Sequence, residues 1–336
     1  MREQPIIAEE SLRACLQEQY GLSAVALTFL PLGLDYNAAV YRVVSEHGAS
    51  YLLKITTRAF YEASYFVPRY LKEQGVAAVV APIPTRSNAL WALFGERTMV
   101  VYPFVEGDTS WSGMTEQNWK DVGATFRQIH QIMPPSSGFG LLRREAFDAS
   151  AYARWLRTFE AQRLHLEGGQ SASEHALLSC WMARQPTIHR ALSVMEKLAG
   201  ILQRQAGPYV ICHADLHPAN LIRDHTGHVF VIDWDEVMLA PKERDFLFAG
   251  EPSSSGSTGS DLPPFFQGYG PAHIDWTALT YYRYERVVQD LIECTENVFF
   301  KDDLEEASKA AEASLFQSVL APGGEIEAAY AAEAHL

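Results

Sequence analysis

The chain has 336 residues, 41 of them Asp or Glu and 27 Lys or Arg, for a formal net charge of −14. At 48% hydrophobic and 20% charged residues it carries too much apolar material for an intrinsically disordered chain, and enough for about two domains or one large two-lobed unit. The acid excess argues against non-specific binding to nucleic acid or anionic membrane, whose charge the whole-molecule field repels; it is compatible with a cationic small-molecule ligand, and equally with solubility alone.

The opening MREQPIIAEESL lacks the basic start and long apolar stretch of a signal peptide. The longest apolar run, Gly75 to Pro84, is about half the length of a membrane span and is interrupted by proline. Cys15, Cys180, Cys212 and Cys294 are widely scattered, with no pair at metal-ligand spacing, as expected of free thiols in a reducing cytoplasm. The expectation is a soluble cytoplasmic protein, monomeric by default, with no nucleic-acid or membrane partner.

Glu9 to Tyr20 reads as a short amphipathic helix closed by Gly21. From Val25 to Ile55 the runs VALTFLPL, AVYRVV and SYLLKI, separated by turn formers, predict a meander of antiparallel strands. A helix follows from about Phe60 to Gln74, then strands at Ala89–Phe94 and Thr98–Phe104 around a GER turn. Residues 1–104 thus predict a five-stranded sheet carrying one helix, and 105–336 a larger, mostly helical lobe. Thr115 to Ile132 has a capping-type start and apolar residues at Trp119, Val122, Phe126 and Ile129. Segments 150–167, 173–184 and 187–205 read as separate helices, the last beginning near Pro186. A short β interlude covers Tyr209–His213, Leu221–Arg223 and Val229–Ile232, and helices resume at about 275–300, 302–319 and 325–334. Pro252–Asp261 is the one low-complexity stretch and reads as a loop. The class is α+β, with a small β-rich lobe joined by one strand to a helical lobe and a cleft expected between them.

The chemistry is concentrated in VICHADLHPANLIRDHTGHVFVIDWDE, Val210 to Glu236. An apolar strand ends at His213; Asp215 follows, Asn220 lies five residues further on, and a hairpin signal at Asp224 and Gly227 leads to Asp233 and Asp235. Phosphoryl transfer from Mg·ATP needs such a set: a carboxylate that positions a hydroxyl and accepts its proton, and an amide oxygen and second carboxylate that hold the metal. His213, Asp215 and Asn220 match H-x-D-x4-N, and Asp233 stands where the aspartate of a DFG segment would, so Asp215 is the candidate base and Asn220 and Asp233 the candidate Mg²⁺ ligands. A zinc pair of His213 and His217 is disfavoured by Pro218 and by the lack of a glutamate beside His213. A plain hairpin accounts for Asp224 and Gly227, and less well for two acids closing the apolar VFVI strand.

Lys54 interrupts the apolar strand YLLKI, as expected of a lysine that contacts the α- and β-phosphates, and Glu62 at the start of the next helix is its candidate ion-pair partner. Alternatively they are an edge-strand lysine and a helix-start glutamate. PLGLDYNAAVY offers only Gly33 in place of a G-x-G-x-x-G loop, so backbone amides around Gly33 to Asn37 are placed over the phosphates by position alone. MVVYPFVEG is the expected connector, with backbone groups near Pro103 and Val105 reading the adenine edge.

HADLHPANL followed by VIDWD resembles the aminoglycoside phosphotransferase family, antibiotic kinases of bilobal protein-kinase-like fold. IDWDEVMLAPKERDFLF, TFRQIH (Thr125–His130), TYYRYERVVQD (Thr280–Asp290) and LDYNAAVY (Leu34–Tyr41) resemble its spectinomycin branch. The resemblance implies ATP- and Mg²⁺-dependent phosphorylation of an antibiotic hydroxyl, with Asp215 as base, Asn220 and Asp233 as metal ligands and Lys54 on the phosphates. It also implies Asp235 as a further acid at the metal or substrate edge, and Asp245 as a brace for the catalytic loop. Glu285 and Asp290 are candidates for the wall of a cationic substrate site; the alternative is an amphipathic surface helix. A metabolic kinase of the same fold, acting on choline, homoserine, methylthioribose or a fructosamine, is the second reading, and a nucleotide-binding pseudokinase the third.

Overall fold

The computed structural model describes residues 7–31, 37–109, 113–134, 142–163, 171–205, 207–250 and 262–336. The chain divides into two compact units, Met1–Arg144 with Val210–Ala272, and Glu145–Tyr209 with His273–Leu336. Position 104 falls inside the first of these. The reason lies in residues 78–80: Val80 N–H donates to the Val231 carbonyl (3.0 Å) and Val231 N–H to that of Ala78 (2.9 Å), so this segment is hydrogen-bonded to the strand ending at Val231.

The first unit opens with α1 (Glu9–Tyr20), terminated at Gly21, whose φ of 68° is the left-handed conformation that glycine adopts without a Cβ penalty. Strands β1 (Ala24–Leu30), β2 (Ala38–Ser45), β3 (Ser50–Thr56), β4 (Ala92–Phe94) and β5 (Arg97–Pro103) form an antiparallel sheet in the order β1-β2-β3-β5-β4. Successive residues of a strand face opposite ways. Ala39, Tyr41 and Val43 of β2, Leu53 and Ile55 of β3, and Met99 and Val101 of β5 therefore share one face, which packs on Leu12 and Leu16 of α1. Lys54 points to the other face, paired in register with Val40 and Val100, and β3 is an interior strand rather than an edge. The helix α2 is Ala63–Glu73.

β7 (Val210–Cys212) pairs with β10 (Met238–Ala240), and β8 (Leu221–Asp224) lies between β9 (Val229–Val231) and the short β6 (Gly107–Asp108). α3 (Glu116–Gln131) starts with the expected cap, a reciprocal pair of bonds between Thr115 and Asn118. It packs on α6 (Pro264–Tyr269) with backbones nearly touching: a Cβ on Gly123 would stand 2.0 Å from the Phe265 carbonyl oxygen, and one on Gly268 1.8 Å from that of Lys120.

The second unit is helical: α4 (Ser150–Arg163), α5 (Ala172–Leu202), α7 (Trp276–Phe299), α8 (Glu306–Val319) and α9 (Glu325–Glu333). The two helices expected at 173–184 and 187–205 are one, α5, which runs through Pro186. A proline removes the bond to the carbonyl four residues earlier; here both Pro186 and Met182 are exposed, so that carbonyl can turn to water. Trp181 is fully buried between Phe159 and Phe316, with its indole N–H donating to Glu160 at 3.0 Å. α7 is buried nearly all round and packs against α5, α8 and α9, which rules out an amphipathic surface helix. Among the described residues no helix is long and apolar enough to cross a membrane.

Gly268→Ala forces the two backbones of α3 and α6 apart, and is expected to destabilise the protein by about 1–3 kcal/mol in urea unfolding; an unchanged midpoint would refute the close packing. Asp290 on α7 gives a pH prediction. Burial raises its carboxyl from 3.8 to about 6, against the pull of Arg286, whose Nε–H donates to it at 2.9 Å. A carboxyl raised in the fold favours folding when protonated, so this contribution is intact below about pH 4 and fades as pH rises through 6. Asp290→Asn is expected to flatten that decline, gaining stability over the wild type of about 2 kcal/mol more at pH 8 than at pH 4. Thermal melts across this range check it, and parallel curves for the two proteins would refute it.

Candidate active site

All the residues of the proposed phosphotransfer set that are described belong to the first unit. β7 delivers His213, which is fully buried. Its Nε2 donates to the Ile232 carbonyl at 2.9 Å and its Nδ1 accepts the Asp215 amide at 3.3 Å, so one neutral imidazole ties the loop carrying Asp215 to the residue before Asp233. Ala214 and Asp233 both adopt left-handed backbone, with φ of 70° and 60°, at a cost of about 1–2 kcal/mol each for a residue with a Cβ. Asp245 accepts the His213 amide on Oδ2 (2.9 Å) and the Ala214 amide on Oδ1 (2.8 Å), which holds the first of these bends.

Asn220 ends the helical turn Pro218–Asn220. Its Nδ2 donates to the Asp215 carbonyl at 2.9 Å and lies 3.4 Å from Asp215 Oδ2, and the same carboxylate oxygen is 3.5 Å from His217 Nε2. With the amide nitrogen committed inward, the Asn220 side-chain oxygen is left to face a cation. That oxygen and the Asp233 carboxylate are hard oxygen ligands of the kind Mg²⁺ takes, so the residues present fit this metal.

Lys54 is the electrostatic centre. Its Nζ donates to Asp233 Oδ1 at 3.0 Å and to Asp235 Oδ2 at 2.8 Å. Burial pulls its pKa down, but the two carboxylates outweigh it and hold the ammonium charged well above its ordinary range. The aspartates diverge in turn. Burial pushes both up; at Asp233 the charge and hydrogen bond of Lys54 win and its carboxyl lies below the ordinary value. At Asp235 burial prevails, with Asp233 adding to it, and the carboxyl lies above. The two carboxylates share one lysine, with Asp233 held as the firmer anion.

The ion pair expected between Lys54 and Glu62 is not formed. Glu62 sits at the N-cap of α2, where its carbonyl accepts the amides of Tyr65 and Phe66 at 3.1 Å each, while the two aspartates satisfy the ammonium. Gly33 lies outside the described residues. Asn37 precedes β2, where its carbonyl accepts the Thr57 amide at 2.9 Å just beyond the Lys54 strand. Pro103 closes β5 and Val105 follows in the connector to β6. Glu285 and Asp290 lie on α7 of the second unit, both buried; Tyr281 Oη donates to Glu285 at 3.0 Å.

Sequence reasoning missed a group beside Asp235. Arg58 Nη1 lies 3.9 Å from Asp235 Oδ2 and 2.9 Å from Glu236 Oε1, and Arg143 Nη1 is 3.1 Å from Glu236 Oε2 while stacking 4.0 Å over the Tyr61 ring. Arg58 and Arg143 sit in stretches with no motif of their own; the only signal was a glutamate directly after the second aspartate.

The sequence matches the phosphotransferase enzyme family over residues 28–282. No curated protein sequence matches it. Among solved structures, it is similar to spectinomycin phosphotransferase APH(9)-Ia in complex with ADP and spectinomycin, with 29% identity and a TM-score of 0.85 over 98% of this chain and 99% of that one. An aminoglycoside phosphotransferase from Alicyclobacillus acidocaldarius, 16% identical over 99% and 97% of the two chains with a TM-score of 0.59, shares the fold. So does an ethanolamine kinase from Plasmodium vivax, 12% identical over 90% and 84%, with a TM-score of 0.57. The kinase-like α+β fold and the enzymatic class expected from HADLHPANL and VIDWD are thus those of its relatives, and the chain belongs to the phosphotransferase enzyme family.

Proposed function

We propose that this protein transfers the γ-phosphoryl group of ATP to a hydroxyl of an aminocyclitol antibiotic, spectinomycin in the first instance, and so confers resistance to it. The observation that carries the reading is the convergence of Lys54, Asp215, Asn220 and Asp233 in one compact unit of a chain similar along nearly its whole length to a spectinomycin phosphotransferase.

Asp215 orients the acceptor hydroxyl and takes its proton as the new O–P bond forms and the bond to the β-phosphate oxygen breaks, releasing ADP. Its carboxylate is one-third exposed, open to an incoming hydroxyl. With nucleotide bound, Lys54 would turn from the two aspartates to the α- and β-phosphates, and Asn220 and Asp233 would hold Mg²⁺. The metal, when bound, neutralises charge on the phosphates. Asp235, relieved of Lys54, keeps Arg58 beside it and faces the metal or the substrate edge. Asn37 lies toward the phosphates, and groups near Pro103 and Val105 read the adenine edge.

Purified protein incubated with ATP, Mg²⁺ and spectinomycin is expected to yield monophosphorylated antibiotic by mass spectrometry. Turnover of choline, homoserine, methylthioribose or a fructosamine with spectinomycin untouched would replace the antibiotic reading by a metabolic one. Asp215→Asn is expected to lower kcat by about 10²–10⁴ while ATP binding, followed by calorimetry, survives. A variant that keeps wild-type turnover rules Asp215 out as the base.

A further inference from the structure

Among the described residues of the first unit, a buried polar chain runs behind Asp245, and the chemistry above leaves its far end without a purpose. His130 on α3 and Asp245 in the helical turn Lys242–Phe246 are both almost wholly shielded from solvent. His130 Nε2 lies 3.0 Å from Asp245 Oδ2, and His130 Nδ1 lies 2.9 Å from the hydroxyl of Tyr269, the last residue of α6. Arg127 Nη1 donates to the Tyr269 carbonyl at 2.7 Å and fixes this end of α6 to α3.

The direction of the bonds follows from the partners. Ionised Asp245 can only accept, so His130 Nε2 carries a proton. Burial, and then the charges of Glu243 and Asp245, raise the Tyr269 phenol far above its ordinary range; it stays protonated and donates to Nδ1. Cys212 stands beside the pair, its Sγ donating to the Ala240 and Pro241 carbonyls at 3.5 and 3.4 Å, and burial followed by the Asp245 charge keeps its thiol protonated. The trio of His130, Cys212 and Asp245 has metal-ligand chemistry. Both imidazole nitrogens and both carboxylate oxygens are nevertheless already bonded to protein, so the arrangement is a hydrogen-bond relay and not a metal centre.

We propose that His130 is a positioning residue for phosphoryl transfer: donating from Nε2, it fixes the Asp245 carboxylate that grips the His213 and Ala214 amides, and with them the left-handed bend that aims Asp215. The inference rests on the phosphotransfer reading of Asp215. Tyr269 sets the tautomer of His130 from the far end. Without the His130 donor the carboxylate can rotate, Ala214 can relax toward φ below zero, and the next residue is Asp215. A displacement of about 1 Å at a catalytic group costs up to 10²-fold in rate with no change in substrate affinity.

The test compares the wild type with His130→Ala, His130→Gln and Tyr269→Phe in two readouts: amide hydrogen exchange at His213 and Ala214, and kcat and KM for ATP with spectinomycin as acceptor. His130→Ala is expected to exchange these amides faster and to lose about 10- to 100-fold in kcat with KM for ATP held within about twofold. His130→Gln, whose side-chain amide can donate to Asp245, should restore most of the loss, which a purely packing role would not predict. Tyr269→Phe keeps the ring and removes only the hydroxyl, so it answers the question even if His130→Ala does not fold; it should show the same pattern in smaller degree. Unchanged amide exchange, parallel changes in kcat and KM, or Gln no better than Ala would overturn the proposal. A wild type that phosphorylates no acceptor sinks the phosphotransfer reading instead, and the exchange data then still decide whether His130 holds the loop.

Discussion

A lysine ammonium buried in the sheet face needs anions, and the folding of the first unit is organised around supplying them. Lys54 lies on an interior strand, where removing a charge from water is costly unless it is paired and hydrogen-bonded. Its partners come from a hairpin nearly 180 residues away in sequence. The backbone bonds between residues 78–80 and Val231 bring that hairpin to the sheet, and the His213–Ile232 bond fixes the residue before Asp233. One cation shared by two carboxylates then sets them apart, the more exposed Asp233 as a firm anion and the more buried Asp235 as a reluctant one.

The same region concentrates unfavourable backbone geometry. Ala214, next to Asp215, and Asp233 hold left-handed conformations that no glycine relieves. Each is tied down from outside: Ala214 by the Asp245 carboxylate, Asp233 by Lys54 on its side chain and His213 on the preceding carbonyl. Strain persists where the surroundings over-determine it, and such positions mark sites whose geometry is fixed before the ligand arrives. The glycine contacts of α3 and α6 belong to this logic, because they hold the helices that carry His130 and Tyr269 at the distance the relay requires.

Where one period or one spacing dominated, the sequence was readable. The β-rich runs between Val25 and Ile55 announced the meander of strands, and the Thr115 start announced α3 before any packing was known. H-x-D-x4-N followed by I-D-x-D singled out the hairpin that carries the proposed phosphotransfer residues, because such chemistry asks several groups to meet one metal and one hydroxyl. What failed depended on neighbours distant in sequence. Pro186 reads as a break until its exposed side is known. β10 and α6 are too short for their own periodicity to show. Glu62 has the right spacing for Lys54, but the choice between it and two aspartates is made by the folded hairpin. For Glu285 and Asp290 the charge pattern left open the wall of a substrate site or an amphipathic surface helix, and the second fails because α7 is surrounded by its own unit.

The first unit is discontinuous in the chain, Met1–Arg144 completed by Val210–Ala272, and this has a consequence for its assembly. The Lys54–Asp235 contact closes a loop of 181 residues, the long-range kind of contact that slows folding. At about 5–20 residues per second on the ribosome, the sheet would present its uncompensated lysine for roughly 10–40 s before the aspartates are synthesised. The ion pair of Lys54 with Asp233 and Asp235 therefore forms only once the hairpin has been made, late in the assembly of its own unit.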